Sequence, residues 1–232
     1  MNILSLDTCF DACSVAAGRG LRSLTPGISF AFESMQTGHF ERLVPMIETV
    51  MAEAGLGFEA LDRIAVPFGP GTFTGTRICV SAARALALAT SAQFVAISSL
   101  KLMAMSARIP AAPTPRIAIA TDARRDEVYL EIFDRYSLES LAGPQCRTIA
   151  DAVQQLGFEP IVIAGSGAEK LATAANRAGI DASAILPDLL PDALDLLFPA
   201  CEMPVTSVLH PLYLRPPDAK PPAPSPLVGA GA

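Results

Sequence analysis

Short apolar runs alternate with amphipathic stretches along the first half of the chain. The apolar runs predict strands at residues 3–6, 13–17, 28–32, 64–68 and 94–97. The second and third of these strands are predicted to form a hairpin. Apolar residues at helical spacing predict helices over residues 40–54 and 76–89, and from Ser98 or Ser99 to about Arg108. Pro45 predicts a kink in the first helix if that helix begins before about Arg42, because proline lacks a backbone donor.

The pattern restarts after residues 109–115, a proline-rich stretch that we interpret as a linker. Further strands are predicted at residues 117–120, 126–133 and 160–164, and further helices after Thr148 and after Ser166. Strands that alternate with helices favour an α/β fold with a largely parallel sheet and one antiparallel hairpin in each half.

Two pairs of aspartates mark the restart with a constant offset. Asp7 and Asp122 each end an apolar strand, Asp11 and Asp126 each precede the next strand, and both offsets are 115 residues. A period near half of the chain length predicts two similar lobes. We assign four regions: an N-terminal lobe with the two long helices (1–108), the linker (109–115), a C-terminal lobe (116–215) and a flexible proline-rich tail (216–232).

Composition raises the question of a membrane location. The chain has 232 residues, of which 51% are hydrophobic, and a mean hydropathy of +0.40. Its longest uncharged run, residues 85–100, is interrupted by polar residues and is shorter than the ~20 residues of a spanning helix. The first residues lack the basic start of a secretory signal, and the five scattered cysteines include no C-x-x-C pair. We therefore expect a soluble, cytoplasmic protein with reduced thiols and no membrane partner.

Charge limits the kind of partner that the chain can bind by itself. Acidic residues outnumber basic ones by 23 to 17, and the formal net charge is -6. A protein that holds nucleic acid alone usually presents a basic stripe that displaces counterions from the phosphates. Direct high-affinity binding of tRNA or DNA by this chain alone is therefore disfavoured.

The most distinctive local sequence is the glycine-rich segment GPGTFTGTR at residues 69–77, which follows a strand and opens a helix. Its backbone N–H groups could hold an anion at the helix N-terminus, with Thr72, Thr74 and Arg77 as further donors. The alternative is a tight turn in which glycine allows a close approach of helix and strand. The segment is not a Walker A loop, because it lacks the lysine and the glycine spacing of that motif.

The aspartates at the strand ends form a second candidate site. Asp7 and Asp11 in one lobe and Asp122 in the other could hold a metal nucleotide in a cleft between the lobes. The alternative is that these acids cap the turns of two hairpins. A metal site based on histidine is disfavoured, because His39 and His210 are the two histidines of the chain and lie far apart. A serine hydrolase is disfavoured as well, because the sequence contains no G-x-S-x-G motif.

The two long helices of the first half offer a third kind of site. Small and apolar residues share one face of the second helix, where another helix could approach closely: Ile78, Ala82, Ala85 and Ala89. The first helix, over residues 40–54, has an apolar stripe broad enough for a core and a partner. The apolar stripes of the two helices are compatible with core packing alone and with a paired docking surface.

Six segments give the sequence a resemblance to a known family. They are ILSLDT at 3–8, ACSVA at 12–16, HFERLVP at 39–45, GPGTFTGTR at 69–77, DARRDEVY at 122–129 and YLR at 213–215. In this order they resemble the bacterial TsaB family, also called YeaZ, over roughly residues 1–215. The glycine-rich segment is the most specific of the six. The chain departs from the family pattern at Phe40, where a serine is usual, and at Thr76, where a leucine is usual.

The resemblance implies an actin/hexokinase-like (ASKHA) fold with two RNase H-like lobes. It implies a non-catalytic subunit of the complex that makes threonylcarbamoyladenosine (t6A) in tRNA, with TsaD as catalytic partner and TsaE as ATPase. No metal and no cofactor are expected in this subunit, which would meet tRNA only through the complex and form a homodimer when isolated. The implied partner surface consists of six residues of the two long helices: Leu43, Ile47, Val50, Ile78, Ala82 and Ala85.

Two rival hypotheses assign chemistry to the chain itself. One is a nucleotide-dependent transferase or ATPase that acts in the cleft through Asp7, Asp11 and Asp122. The other is a peptidase, a label attached to the wider family, which the lack of paired histidines and of a nucleophile motif disfavours.

Overall fold

The computed structural model describes residues 1–107 and 114–215. Within these residues the strands are β1 (Ile3–Asp7), β2 (Ala12–Arg19), β3 (Gly27–Ser34), β4 (Arg63–Pro67), β5 (Gln93–Ile97), β6 (Arg116–Asp122), β7 (Glu127–Asp134), β8 (Ser140–Thr148), β9 (Ile161–Ala164) and β10 (Ala182–Ile185). The α-helices are α1 (His39–Glu53), α2 (Phe73–Thr90), α3 (Ser99–Ser106), α4 (Ile149–Leu156), α5 (Ala168–Arg177) and α6 (Leu194–Leu197). Short 3-10 helices lie at Phe58–Ala60 and Pro199–Cys201.

The strands form two five-stranded sheets of the same topology. The first sheet has the order β3-β2-β1-β4-β5 and the second has the order β8-β7-β6-β9-β10. In each sheet the first three strands along the chain are antiparallel, and the last two join in parallel. Strand β7 begins and ends 115 residues after β2, which is the offset of the aspartates. The prediction of an α/β fold with two similar lobes is confirmed.

Both faces of each sheet are covered by helices. In the first sheet, Leu4 and Leu6 face the core that α1 and α2 cover, whereas Ile3 and Ala65 face the opposite side. In the second sheet, one face carries α4 and α5, and the other face packs against α3. Among the described residues, no helix is both long and apolar enough to cross a lipid bilayer.

The two lobes exchange helices. Helix α3 comes from the first half of the chain, but Leu100 and Met103 pack on Ile117 and Phe133 of the second sheet. Helix α6 follows the second sheet, but its leucines pack under the first one, where the N–H of Ala193 donates to Ser14 Oγ at 3.0 Å. The segment around α6, which the prediction places in the C-terminal lobe, thus fills the open apolar face of the first sheet.

Further findings concern the bounds and the content of single elements. Helix α2 begins at Phe73 rather than Thr76, because the Thr72 hydroxyl caps it by accepting the N–H of Gly75 at 3.0 Å. Helix α1 contains Pro45 in its interior. Strands β8 and β10 were not predicted; β8 is an edge strand with mostly exposed side chains, so it lacks a clear apolar alternation. Most of the predicted linker and all of the predicted tail lie outside the described residues.

Candidate functional site

Three sequence segments that lie far apart in the chain meet between the lobes. Arg77 on α2 donates through Nε to the hydroxyl of Tyr213 at 2.8 Å, and its guanidinium lies 3.6 Å from the centre of the Phe73 ring. Arg215 donates to the carbonyl of Ala123 in the second lobe at 2.6 Å. Residues 213–215 therefore connect the start of α2 with the β6–β7 turn, which brings three of the six family-like segments together.

The glycine-rich turn is packed against the end of β1. A Cβ atom on Gly71 would lie 2.3 Å from the carbonyl oxygen of Cys9, and one on Gly75 would lie 2.0 Å from that of Thr8. The N–H of Thr72 donates to the Cys9 carbonyl at 2.8 Å. These glycines thus serve a close backbone approach, which favours the tight-turn interpretation over an anion cradle.

The three side chains predicted as anion donors have different surroundings. Thr72 is the N-cap of α2, Thr74 is exposed, and Arg77 is held by Phe73 and Tyr213. An arginine that stacks on a ring and donates to a hydroxyl keeps further donors that face solvent. Anion binding by these residues stays a prediction.

Asp7 is sealed inside the first lobe. One carboxylate oxygen accepts the N–H of Cys9 at 3.0 Å, and its Oδ2 is buried without a hydrogen-bond partner among the described residues. Burial raises the pKa of Asp7 from 3.8 to about 7, and the hydrogen bond from Cys9 opposes this shift. A buried carboxyl group of this kind is partly protonated at neutral pH and does not face an open cleft.

The other predicted cleft acids lie at the surface. Asp122 accepts the N–H of Arg124 at 2.9 Å and is exposed, and Asp11 is exposed as well. Asp126 pairs with Lys170 at 2.5 Å, and this ion pair lowers the pKa of Asp126. The equivalent strand ends of the two lobes thus hold their aspartates in opposite environments, so Asp7, Asp11 and Asp122 do not form one open acidic cleft.

The structure corrects the predicted docking surface on α1. Leu43, Ile47 and Val50 are buried in the core of the first lobe, at most 3% exposed, so they cannot contact a partner directly. The outward apolar side chains of the same helix are Phe40 and Val44, which are 70% and 53% exposed. The breadth of the apolar stripe indicated a second face, but spacing alone could not tell which positions face outward.

On α2 the predicted surface residues are more accessible. Ala85 is exposed, while Ile78 and Ala82 are half-buried. Leu88, which the sequence analysis did not select, is 89% exposed. Helices α1 and α2 cover the same face of the first sheet, and we call their accessible apolar side chains the α1–α2 surface: Phe40, Val44, Ile78, Ala82, Ala85 and Leu88.

Comparisons with known proteins agree with this architecture. The family model "TsaD: tRNA N6-adenosine threonylcarbamoyltransferase" matches residues 32–189. The chain is 31% identical to the tRNA threonylcarbamoyladenosine biosynthesis protein TsaB of Escherichia coli over 93% of this chain and 95% of that protein. A crystal structure of YeaZ from Pseudomonas aeruginosa has a TM-score of 0.72 and 29% identity, covering 92% of this chain and 99% of that one.

A shorter match links the chain to a transferase. It is 44% identical to the tRNA N6-adenosine threonylcarbamoyltransferase of Erythrobacter litoralis over 71 residues, which are 31% of this chain and 21% of that protein.

The fold and the matched family model define a two-lobed α/β protein related to the threonylcarbamoyltransferases that act on tRNA. Within that class, the chain belongs to the TsaB (YeaZ) family. The names of its curated relatives support a role in the biosynthesis of threonylcarbamoyladenosine in tRNA.

Proposed function

We propose that this protein is a non-catalytic subunit of the t6A modification complex, which binds and activates TsaD and helps to recruit TsaE. The observation that carries the proposal is the α1–α2 surface, which presents large apolar side chains to solvent. Phe40, Val44 and Leu88 are each more than half exposed although they lie on long, well-formed helices. Large exposed apolar side chains on two neighbouring helices are typical of protein–protein interfaces.

The chemistry of the surface fits a partner with a related fold. The TsaD family model matches residues 32–189, which include α1 and α2, so a partner of that family is expected to have similar helices. Two related lobes can pair through equivalent helices around an approximate two-fold axis, as identical subunits do. The same surface would join two copies of this chain when the partner is absent, so the isolated chain is expected to be a homodimer.

Burial of the α1–α2 surface supplies the energy for docking. Each large apolar side chain that becomes fully buried contributes about 1.5–3 kcal/mol. The small side chains of Ala82 and Ala85 on α2 would let a partner helix approach closely. In this arrangement tRNA contacts the complex chiefly through the catalytic subunit, in keeping with the net charge of -6.

The rival proposal of nucleotide chemistry in the cleft has less support. It needs Asp7 as an accessible, ionised ligand, whereas this side chain is buried and its pKa is raised to about 7. Binding of ATP by the isolated chain, measured by calorimetry, would restore that hypothesis.

The test is to place a charge on the α1–α2 surface. We expect Val44→Glu, and separately Ala82→Arg, to weaken binding to TsaD by at least 30-fold, because an unpaired charge would be buried in an apolar interface. The readouts are a pull-down with TsaD and t6A formation in a mixture of this chain, TsaD, TsaE, tRNA, ATP and the threonylcarbamoyl donor. The amount of TsaD bound and the amount of t6A formed should decrease together.

A matched control places the same charge on the other lobe. Leu141 on β8 is 55% exposed, and Leu141→Glu should leave both readouts at the wild-type level. Normal t6A formation with folded Val44→Glu and Ala82→Arg would disprove docking through this surface.

A further inference from the structure

Two thiols and one carboxyl group lie together beneath helix α2. One ligand atom each of Asp7, Cys9 and Cys79 falls within 4.8 Å of the others, and all three residues are fully buried. Asp7 ends β1, Cys9 lies two residues later, and Cys79 comes from the buried face of α2. The cluster therefore joins a strand end to the helix that packs on it.

Backbone carbonyls complete the surroundings of the two sulfur atoms. The Cys79 thiol lies 3.5 Å from the carbonyl oxygen of Pro67 and 3.6 Å from that of Leu6. The Cys9 sulfur lies 3.9 Å from the same Pro67 oxygen. Pro67 thus offers an oxygen to both thiols, as a candidate fourth donor close to the two sulfur atoms.

The carboxyl group supplies an independent indication of a ligand. Oδ2 of Asp7 is buried and has no hydrogen-bond partner among the described residues. Thiols that point at carbonyls are satisfied as weak donors, so the sulfur atoms alone would indicate nothing. Buried polar atoms nearly always have a partner in native proteins, and a cation held by the carboxylate and the thiolates would provide one.

We propose that Asp7, Cys9 and Cys79 bind a zinc ion, with the Pro67 carbonyl or a water molecule as fourth ligand. Zn²⁺ takes cysteine sulfur at about 2.3 Å and carboxylate oxygen at about 2.0–2.2 Å in tetrahedral sites. Sulfur donors select against the hard cations Mg²⁺ and Ca²⁺, which prefer oxygen ligands. Binding releases the thiol protons, and the proton of Asp7 where it is protonated, to solvent and involves no redox change.

The geometry fits a structural ion rather than a catalytic one. Two sulfur atoms on a tetrahedral zinc ion are about 3.8 Å apart, and the three ligand atoms here already lie within 4.8 Å of one another. All three residues are sealed from solvent, and no open position faces a substrate. The ion would connect β1 to α2, under the α1–α2 surface, and this role is independent of the proposed function.

The experiment uses the full chain, reduced, treated with chelator and then titrated with Zn²⁺ or Co²⁺. We expect one ion per chain and, with Co²⁺, a thiolate-to-metal charge-transfer band. At a Zn²⁺ concentration a hundred times Kd the melting temperature should rise by about 5 °C. Cys9→Ser and Cys79→Ser should lose the band and the shift, whereas Cys146→Ser, at a partly exposed thiol on β8, should keep both.

Three results would overturn the proposal: no binding by the wild-type chain, a band that survives Cys9→Ser and Cys79→Ser, or a band lost in Cys146→Ser. X-ray absorption at the zinc edge tests the wild-type chain directly, even if a variant does not fold. A first shell of two sulfur atoms with oxygen ligands supports the site. A shell without sulfur, or with four sulfur atoms, contradicts it.

Discussion

Gly75→Ala should destabilise the protein by about 3 kcal/mol and lower Tm by about 6–12 °C, although it adds one methyl group. That methyl would lie 2.0 Å from the carbonyl oxygen of Thr8 and 2.6 Å from Thr72 Oγ1. The Thr8 oxygen belongs to backbone at the end of a central strand, so relief requires α2 to move away from β1. This cost outweighs the gain of about 1 kcal/mol that alanine normally brings to a helix interior.

Gly143→Ala is the matched control, because a Cβ at Gly143 meets no atom within 4 Å. The melting temperature of this variant should stay within about 2 °C of wild type, or rise slightly. Thermal unfolding followed by circular dichroism measures both variants. A Gly75→Ala protein as stable as wild type would show that the contact between α2 and β1 is looser than described above.

Asp7→Asn should flatten the dependence of stability on pH. The pKa of Asp7 is raised from 3.8 to about 7 in the folded protein, so the native state holds a proton that the unfolded chain has lost. Stability linked to this group is therefore complete below pH 4 and is lost as pH rises through 7. The raised pKa of Asp7 corresponds to a loss of about 4 kcal/mol of wild-type stability between pH 4 and pH 8. The asparagine variant has no carboxyl group at this position and should not show this loss.

The comparison is made by urea unfolding at pH 4, 6 and 8 with chelator present, so that no metal holds the carboxylate. The stability of Asp7→Asn relative to wild type should increase steadily with pH; any packing cost of the amide is the same at each pH and cancels. Asp122→Asn, at the exposed equivalent position, is the matched control variant. A constant difference between Asp7→Asn and wild type at all three pH values would contradict the buried acid.

Features that depend on neighbouring residues, or on a repeat along the chain, could be predicted from the sequence. The apolar runs located β1 and β6, and the common offset of the two aspartate pairs identified the lobes. Helices were predicted from Ser98 or Ser99 and after Thr148, and the observed caps are Ser98 and Thr148. Strand β8 was not predicted, because an exposed edge strand needs no alternation of apolar and polar side chains. The packing of α6 under the first sheet could not be predicted either, since it depends on a contact between residues almost the whole chain apart.

The candidate site was predictable in its residues but not in their environments. Motif order indicated that the glycine-rich segment, the second hairpin and residues 213–215 matter, and the structure brings them together. Spacing could not show that Asp7 is sealed whereas Asp122 is exposed, because the two strand ends look alike in sequence. Nor could it show that Leu43 faces inward and Val44 outward, since both lie on one broad stripe.

The exchange of helices between the lobes has a consequence for synthesis on the ribosome. All strands of the first sheet precede residue 98, but Leu196 and Leu197, which cover one of its faces, are made almost a hundred residues later. Until then Ile3, Ala65 and Val95 have no leucine cover from α6, and a nascent chain with exposed apolar surface is prone to aggregate. The first lobe, although encoded first, can complete its folding only after most of the second lobe has been translated.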